Sequence, residues 1–540
     1  MKDISSTGSF IDFTLENFIY VDKTEYIPKL VKLKRVFISR PRRFGKSLTL
    51  DTIATLFETG VEPYFKGTWI YDKWTEPTYP VLRLNFLNLD NFSIDDFKNK
   101  LNSYITEFAN KIGVKEYAEK KEPEDSIDSM LEKLREEKRQ IVILIDEYDY
   151  QLTSNINHDD LYKQFQQKIK RFYANIKDKL AIKFLGITGV TRLKDVEIFS
   201  IGSDINDITN ESAFSQLIGF TRDEIKKYYI DYLKLAASYE NKCRVEEVTD
   251  AQIESMLDMM AQNYDGYCFD EDYEKKVFNT WSVNKFFQTM VGKKKVQFGE
   301  YWYDNGGLPS ILVNYLKTHE LNIFEYLDKD KFLKVSSDDF KNPTALTTIN
   351  QNVLMCQTGY LTLRSDLNKT STVALGIPNG EIYKALNRLL ANNIFKGNTD
   401  ITDDYGRSLL EVGTVDDIIN LFNSALNSVS YDNYPIVSES SVQNMLKLYL
   451  LGAHQKVLSE VHEAKGRADL VVNTDNRRIV FEFKYAKNET EAKSKLLDAV
   501  EQIKTRDYGN IVPKKTELLR IATVFNADPK VRAFTEFQLV

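Results

Sequence analysis

The chain predicts an α/β protein in three parts: an N-terminal parallel sheet, a helical middle region, and a smaller C-terminal α/β unit. Three observations predict it. From Arg35 to Gly189, apolar strand-like runs alternate with helix-like stretches, the pattern of a parallel sheet with crossover helices. From about Thr221 the pattern turns to helices rich in Tyr, Phe and Leu. After Tyr431, two strand-like runs joined by a polar turn carry acids and a lysine. The parts are read as residues 1–220, 221–430 and 431–540.

The first strand, Arg35-Val36-Phe37-Ile38-Ser39, runs into Arg40-Pro41-Arg42-Arg43-Phe44-Gly45-Lys46-Ser47 and then a helix. Triphosphates need backbone N–H groups converging at a helix N-terminus, a lysine reaching the β and γ oxygens, and a hydroxyl for magnesium. Gly45, Lys46 and Ser47 supply these parts, although Arg40 stands where the G-x-x-x-x-G-K-[ST] pattern has its first glycine. The nucleotide-binding set is read as Arg42, Arg43, Phe44, Gly45, Lys46, Ser47 and Leu48, with Asp146 and Thr188 from later strands. A basic surface loop before a helix is the plain alternative.

After the helix from Lys46 to Glu58, Val81 to Phe86 reads as a second strand and Ile94 to Ile112 as an amphipathic helix. The charged stretch Glu116 to Lys138 leads to Ile141-Val142-Ile143-Leu144-Ile145-Asp146-Glu147, an apolar run ending in acids, as for a buried parallel strand whose tip reaches a site. Asp146 is placed to hold the magnesium shell with Ser47, and Glu147 to orient the attacking water. A helix from Asp159 to Ile176 precedes the strand Ile182 to Gly189. Ligands bind outside the carboxyl ends of such strands, so Thr188 stands where a γ-phosphate sensor would, with Arg192 just beyond. A strand-end turn with a surface arginine answers the same residues.

With 540 residues the chain exceeds one ordinary core. Cys243, Cys268 and Cys356 are scattered, which suggests neither a disulfide framework nor a zinc site and fits a reducing, cytoplasmic location. No signal sequence or apolar run long enough for a bilayer is read, so no membrane partner is expected. The net charge is -7, but residues 431–540 carry 17 Lys and Arg against 15 Asp and Glu. The tail is therefore the better candidate for polyanion contact.

In the middle region, Thr221-Arg222-Asp223-Glu224 has capping-box form before a helix from Ile225 to Ala237, and Val248 to Asn263 is a second helix. These helices form either a lid on the nucleotide or a connector. Tyr264-Asp265-Gly266-Tyr267 and Trp281-Ser282 read as turn and packing signatures, and the acidic stretch Asp400 to Asp417 as an exposed junction.

In the tail, Gly466 to Val472 and Arg478 to Lys484 form a hairpin with Asp469 on one strand and Glu482 and Lys484 on the other. Alternation puts Glu482 and Lys484 on one face. Phosphodiester hydrolysis needs such a set: two carboxylates for magnesium and a lysine to position or polarise water. Glu439, ahead of an amphipathic helix with Val442, Leu446 and Leu450, is read as a third metal ligand, with Glu460 and Glu463 as competitors, and Gln502 as a further side chain within reach. A charged surface hairpin is the alternative.

The N-terminal part resembles the bacterial and archaeal AAA-ATPase-like family, on Tyr20-Val21-Asp22-Lys23-Thr24, Arg40 to Ser47, Ile187-Thr188-Gly189, Gly219-Phe220-Thr221, Tyr264 to Tyr267 and Trp281-Ser282. Gly359 to Thr362 and Gly376 to Asn379 are similar to its middle region. The C-terminus resembles the PD-(D/E)XK nuclease-like domain such proteins carry, on Gly466 to Asp469 and Glu482 to Lys484, while Val442 and Gln443 stand where that family often has Tyr and His. The missing first glycine is then a family trait. The resemblance implies a restriction-endonuclease-like tail fold, a STAND-like ATPase with ATP and Mg²⁺ as cofactors, and a mobile-element or defence role. For the tail it implies Asp469, Glu482 and Lys484 as catalytic residues using Mg²⁺ or Mn²⁺ on nucleic acid, DNA before RNA. A nucleotide-switched recognition protein with an inactive nuclease fold is the alternative, and a homo-oligomer is left open.

Overall fold

The structure is a computed structural model, and it describes residues 1–193, 204–303, 310–316, 319, 323–343, 345–369, 371–395, 405–453, 455–463, 466–508 and 516–540. It divides into two compact units, residues 1–321 with 330–382, and residues 322–329 with 383–540. The interval 221–430 contributes residues to both. Residues 400–404, at the start of the acidic stretch read as a junction, lie outside the described residues.

In the first unit, β1 (Arg35–Ser39), β2 (Val81–Asn85), β3 (Ile141–Asp146), β4 (Ile182–Gly189) and β5 (Asn206–Asp207) form one sheet in the order β2-β3-β4-β1-β5. Every pairing is parallel. β1 and β3 are buried along their whole length, which is why they read as unbroken apolar runs rather than alternating ones. The expected helices lie at Lys46–Thr59, Ile94–Lys111 and Asp159–Ile176, and the charged stretch before β3 contains the helix Pro123–Glu136 with proline in its first turn.

The Thr221 capping box is present: Thr221 Oγ1 accepts from Glu224 N, and Glu224 Oε2 accepts from Thr221 N at 2.8 Å. The helix expected from Ile225 to Ala237 is two, Arg222–Tyr228 and Ile230–Asn241, broken at Tyr229. Tyr229 is buried and donates its hydroxyl to Asn284 Oδ1 at 2.6 Å, so a tertiary hydrogen bond sits at the break. With Asp250–Tyr264 and Thr280–Lys293 these helices share a core of Ile225, Leu233, Met256, Met260, Phe286 and Phe287, into which Ile19 and Val21 of the N-terminal segment also pack. The middle region is not helical throughout. β6 (Leu333–Ser336), β7 (Thr362–Leu363) and β8 (Thr372–Gly376) form a small antiparallel sheet ordered β6-β8-β7. β6 alternates buried and exposed residues, but two to five residues are too short for that period to stand out in a sequence.

In the second unit, β9 (Lys456–Glu463), β10 (Gly466–Asn473), β11 (Arg477–Ala486), β12 (Glu517–Asn526) and β13 (Ala533–Leu539) form a mixed sheet in the order β13-β12-β11-β10-β9. β11 and β12 are parallel, joined through the helix Glu489–Arg506, and the other pairs are antiparallel. One face buries Val471 and Val480 against Ala499 and Ile503 of that helix. The other sets Phe481 and Phe483 beside Phe422 and Phe534. No helix among the described residues is long and apolar enough to cross a membrane.

Candidate nucleotide and metal sites

The loop from Arg40 to Gly45 leaves β1 and turns into the helix that starts at Lys46. Two residues of this turn have left-handed backbone, Arg43 at φ 70° and Gly45 at φ 103°. Glycine suits the second position because it adopts positive φ without steric cost. Lys46 is buried, and its ammonium donates to the carbonyls of Arg40 at 3.0 Å and Pro41 at 3.1 Å, with Glu147 Oε1 3.9 Å away.

The strand order sets the acids opposite this loop. β4 lies between β1 and β3, so Thr188 and Asp146 come to the same edge as Ser47. Asp146 accepts from Ser47 Oγ and from Thr188 Oγ1, each at 2.5 Å, and from the N–H of Glu147 at 3.0 Å. Glu147 follows with left-handed backbone at φ 52°. Burial pushes its carboxyl up, against the pull of Lys46 and Arg42. Asp149 is spent differently. Its carboxylate accepts from the N–H of Val190 and from Thr191 N and Oγ1, so it clamps the end of β4 instead of facing a ligand.

Beside the loop lies a cavity of about 460 Å³. Arg42, Arg43, Phe44, Gly45, Lys46, Ser47, Leu48 and Glu147 line one side. Ile19, Val21, Leu217, Ile218, Phe220 and Tyr229 make an apolar wall. That wall was not legible beforehand; the only signals were the Tyr20 to Thr24 and Gly219 to Thr221 landmarks. Lys23 explains part of it, since its buried ammonium holds Gln216 O and Glu224, tying the N-terminal segment to the capped helix. Thr280, Trp281 and Asn284, from the helix Thr280–Lys293, line this same cavity. Arg43 stacks on Trp281 at 3.9 Å, and Thr280 Oγ1 donates to Arg43 O at 3.0 Å. Arg192 pairs with Asp207 and does not line it. Tyr267 is buried packing, and at Gly266, φ 94°, an added Cβ would meet Pro378 O at 2.3 Å.

The second constellation lies in the other unit. Asp469 Oδ2 accepts the N–H of Phe483 at 2.8 Å across the hairpin. Glu482 is fully buried, with Oε1 accepting from Lys484 Nζ at 2.8 Å and Oε2 left without a hydrogen-bond partner. Burial, helped by Asp469, pushes the Glu482 carboxyl up to about 7. Glu439, the first residue of the helix Glu439–Gly452, lies 3.6 Å from Lys484 Nζ. A buried acid with an orphaned oxygen, beside a second acid, is a donor set that suits a hard divalent cation. Still, no three His, Cys, Asp or Glu side chains are grouped to hold a metal ion among the described residues, and Lys484 is the cation that stands between Glu439 and Glu482. The side chains of Glu460 and Glu463 lie outside the described residues. Gln502 Nε2 donates to Tyr508 Oη at 3.4 Å, as does Arg506 Nη1 at 2.9 Å. Arg506 feels the charges of Glu482 and Asp469, and no sequence signal had singled it out.

Residues 5–199 match the family model described as predicted AAA-ATPase, and residues 437–534 that of the PD-(D/E)XK nuclease superfamily. A relative named "Uncharacterized protein in vnfD 5'region", from Azotobacter chroococcum mcd 1, is 25% identical over 528 residues, covering 95% of this chain and 94% of that protein. Among solved structures, Cdc6p of Pyrobaculum aerophilum matches at 11% identity over 68% of this chain and 93% of that one, with a TM-score of 0.22. The Orc1 protein of Aeropyrum pernix, solved in complex with DNA, matches at 10% identity over 71% and 97%, with a TM-score of 0.25. Scores this low carry no weight for fold or function. The family matches do: the chain joins an AAA-ATPase-like domain to a C-terminal domain of the PD-(D/E)XK nuclease superfamily.

Proposed function

We propose that the chain binds and hydrolyses ATP in its first unit and cleaves nucleic-acid phosphodiesters in its second, with nucleotide state governing cleavage. The observation that carries the reading is the meeting of Lys46, Ser47, Asp146, Glu147 and Thr188 at one edge of the sheet, beside a cavity sized for a small ligand that Lys46, Ser47 and Glu147 line. Lys46 would exchange its loop carbonyls for phosphate oxygens, and Glu147 would orient water. Ser47 and Asp146 would hold Mg²⁺, which offsets phosphate charge. In the tail, Asp469 and Glu482, with Glu439 as a further ligand, would hold Mg²⁺ or Mn²⁺, an ion that polarises the scissile phosphate. Lys484 would position water there. A mildly basic tail supports nucleic acid as substrate, DNA ahead of RNA.

A second reading has an observation of its own. Lys484 already pairs with both Glu482 and Glu439, which suits a recognition module without turnover. A cleavage assay with DNA and RNA, with and without ATP and Mn²⁺, separates the two. Under the nuclease reading, Asp469→Asn abolishes cleavage and lowers metal affinity, while ATP binding persists. Lys46→Ala weakens ATP binding by about 100-fold, the scale of a lost charged hydrogen bond or two. Wild-type protein that cleaves nothing in any nucleotide state sinks the nuclease.

A further inference from the structure

Phosphoryl-transfer enzymes supply an arginine to the charge that develops on the transferred group, either from the same chain or from a neighbour. This unit has several arginines near the loop, and its geometry sorts them. Arg40 is buried behind the loop, where its Nη1 donates to Ser39 O and Thr209 O and its guanidinium stacks on Phe269 at 4.1 Å. Arg43 is stacked on Trp281. Arg192 is paired with Asp207.

Arg42 is left. It stands four residues before Lys46, lines the cavity together with Lys46, Ser47 and Glu147, and is half-buried. Its carbonyl is fixed by Trp302 Nε1 at 3.2 Å, which anchors the backbone from which the side chain springs. No hydrogen bond or ion pair to the described residues engages its guanidinium. A guanidinium presents its donors in a planar fork that matches phosphate oxygens, and it stays charged.

Resting on the ATPase reading, we infer that Arg42 is a catalytic residue for hydrolysis, an arginine supplied by the phosphate-binding loop itself to the γ-phosphoryl group, so that no neighbouring subunit is needed to complete the site. In that hydrolysis the water oxygen bonds to the γ-phosphorus as the bond from phosphorus to the β–γ bridging oxygen breaks. The electron pair leaves on ADP, and the water proton passes through Glu147 to the released phosphate. Arg42 donates to the equatorial oxygens as their charge grows.

The test uses the full chain and measures three things: ATP affinity by calorimetry, single-turnover hydrolysis over a range of protein concentrations, and capture of ADP with aluminium fluoride as a transition-state mimic. The expected result is that Arg42→Ala binds ATP within about threefold of wild type, hydrolyses it at least about 10³-fold more slowly, and fails to capture ADP–aluminium fluoride. Arg42→Lys restores only part of the rate, because an ammonium offers a point charge and no fork. The wild-type rate per chain does not change on dilution. Wild-type hydrolysis by Arg42→Ala, or loss of ATP binding in a folded Arg42→Ala, overturns the inference. So does a rate per chain that climbs with protein concentration, which assigns the arginine to a neighbour. Wild-type hydrolysis by Arg42→Ala overturns the inference alone, a wild-type protein that binds ATP without hydrolysing it overturns the ATPase reading and the inference with it, and one that binds no ATP overturns the nucleotide reading altogether.

Discussion

Asp146, at the end of β3, and Glu482, in the middle of β11, are both buried acids on apolar strands, yet Asp146 receives two hydroxyls at 2.5 Å and an N–H, while Glu482 has one ammonium and an oxygen with no partner. The difference is how each charge is held before any ligand arrives. At the first site, neutral donors, the Ser47 hydroxyl among them, satisfy the carboxylate. At the second, burial is offset by a single cation, so the acid's charge depends on pH and on Lys484. A satisfied acid keeps its geometry without ligand. An under-satisfied one stores a demand for a cation.

Breaking the first site beside its satisfied acid gives the largest effect. Glu147→Gln keeps ATP binding, since Asp146 and its donors are untouched, and slows hydrolysis by about 10²–10⁴-fold, the scale of a lost general base. Rapid-quench turnover measures it. Asp149, bonded to Val190 and Thr191, cannot take over the role.

Breaking the second site tests the stored demand. Lys484→Met leaves Glu482 buried without its ammonium and destabilises the fold by about 1.4 kcal/mol at pH 8, the equivalent of one pH unit above the value the carboxyl has with its ammonium in place. A raised carboxyl opposes folding as pH rises, because the native state must carry a charge that water solvates better. With Glu482 held near 7, the variant's deficit therefore grows as pH rises through 7 and fades toward pH 5, where the carboxyl is neutral. Mg²⁺ or Mn²⁺ narrows the deficit at pH 8 if Asp469 and Glu482 hold the ion. Thermal melts across pH with and without metal check both statements, and a pH-independent deficit contradicts them.

The smallest effect is a control beside the wall of the cavity next to the loop. Thr221→Ala removes a capping box whose Glu224 also anchors Lys23, and costs about 1 kcal/mol in the unfolding free energy of the first unit. Urea unfolding followed by tryptophan fluorescence reads it. Metal binding in the tail is unaffected, because no donor there is touched.

The parallel strands and the helices after them were legible because a fully buried strand must be apolar along its length and an amphipathic helix repeats its apolar positions. Lys46, Ser47, Asp146 and Thr188 stood out because phosphate and metal chemistry restrict residue type at a strand end. The short strands β6 to β8, the break at Tyr229 and the sharing of the middle region between two units had no comparable signal. Each depends on partners distant in sequence: Asn284 for Tyr229, and sheet neighbours for strands of two to five residues.

Local pattern thus decided which residues are candidates for chemistry, since Gly45-Lys46-Ser47, the acids ending β3 and the Glu482–Lys484 alternation are properties of a few consecutive residues. Tertiary structure decided what each residue does among its equals. Asp146 and Asp149 lie three residues apart, yet one takes the hydroxyls of Ser47 and Thr188 and the other clamps Val190 and Thr191. Arg40, Arg42 and Arg43 are near neighbours in one loop, and only the backbone turn at Arg43, the aromatic faces of Phe269 and Trp281 and the end of β5 send them different ways. Residue type sets what a group can bond. Which bond it makes depends on donors and rings that arrive from far along the chain.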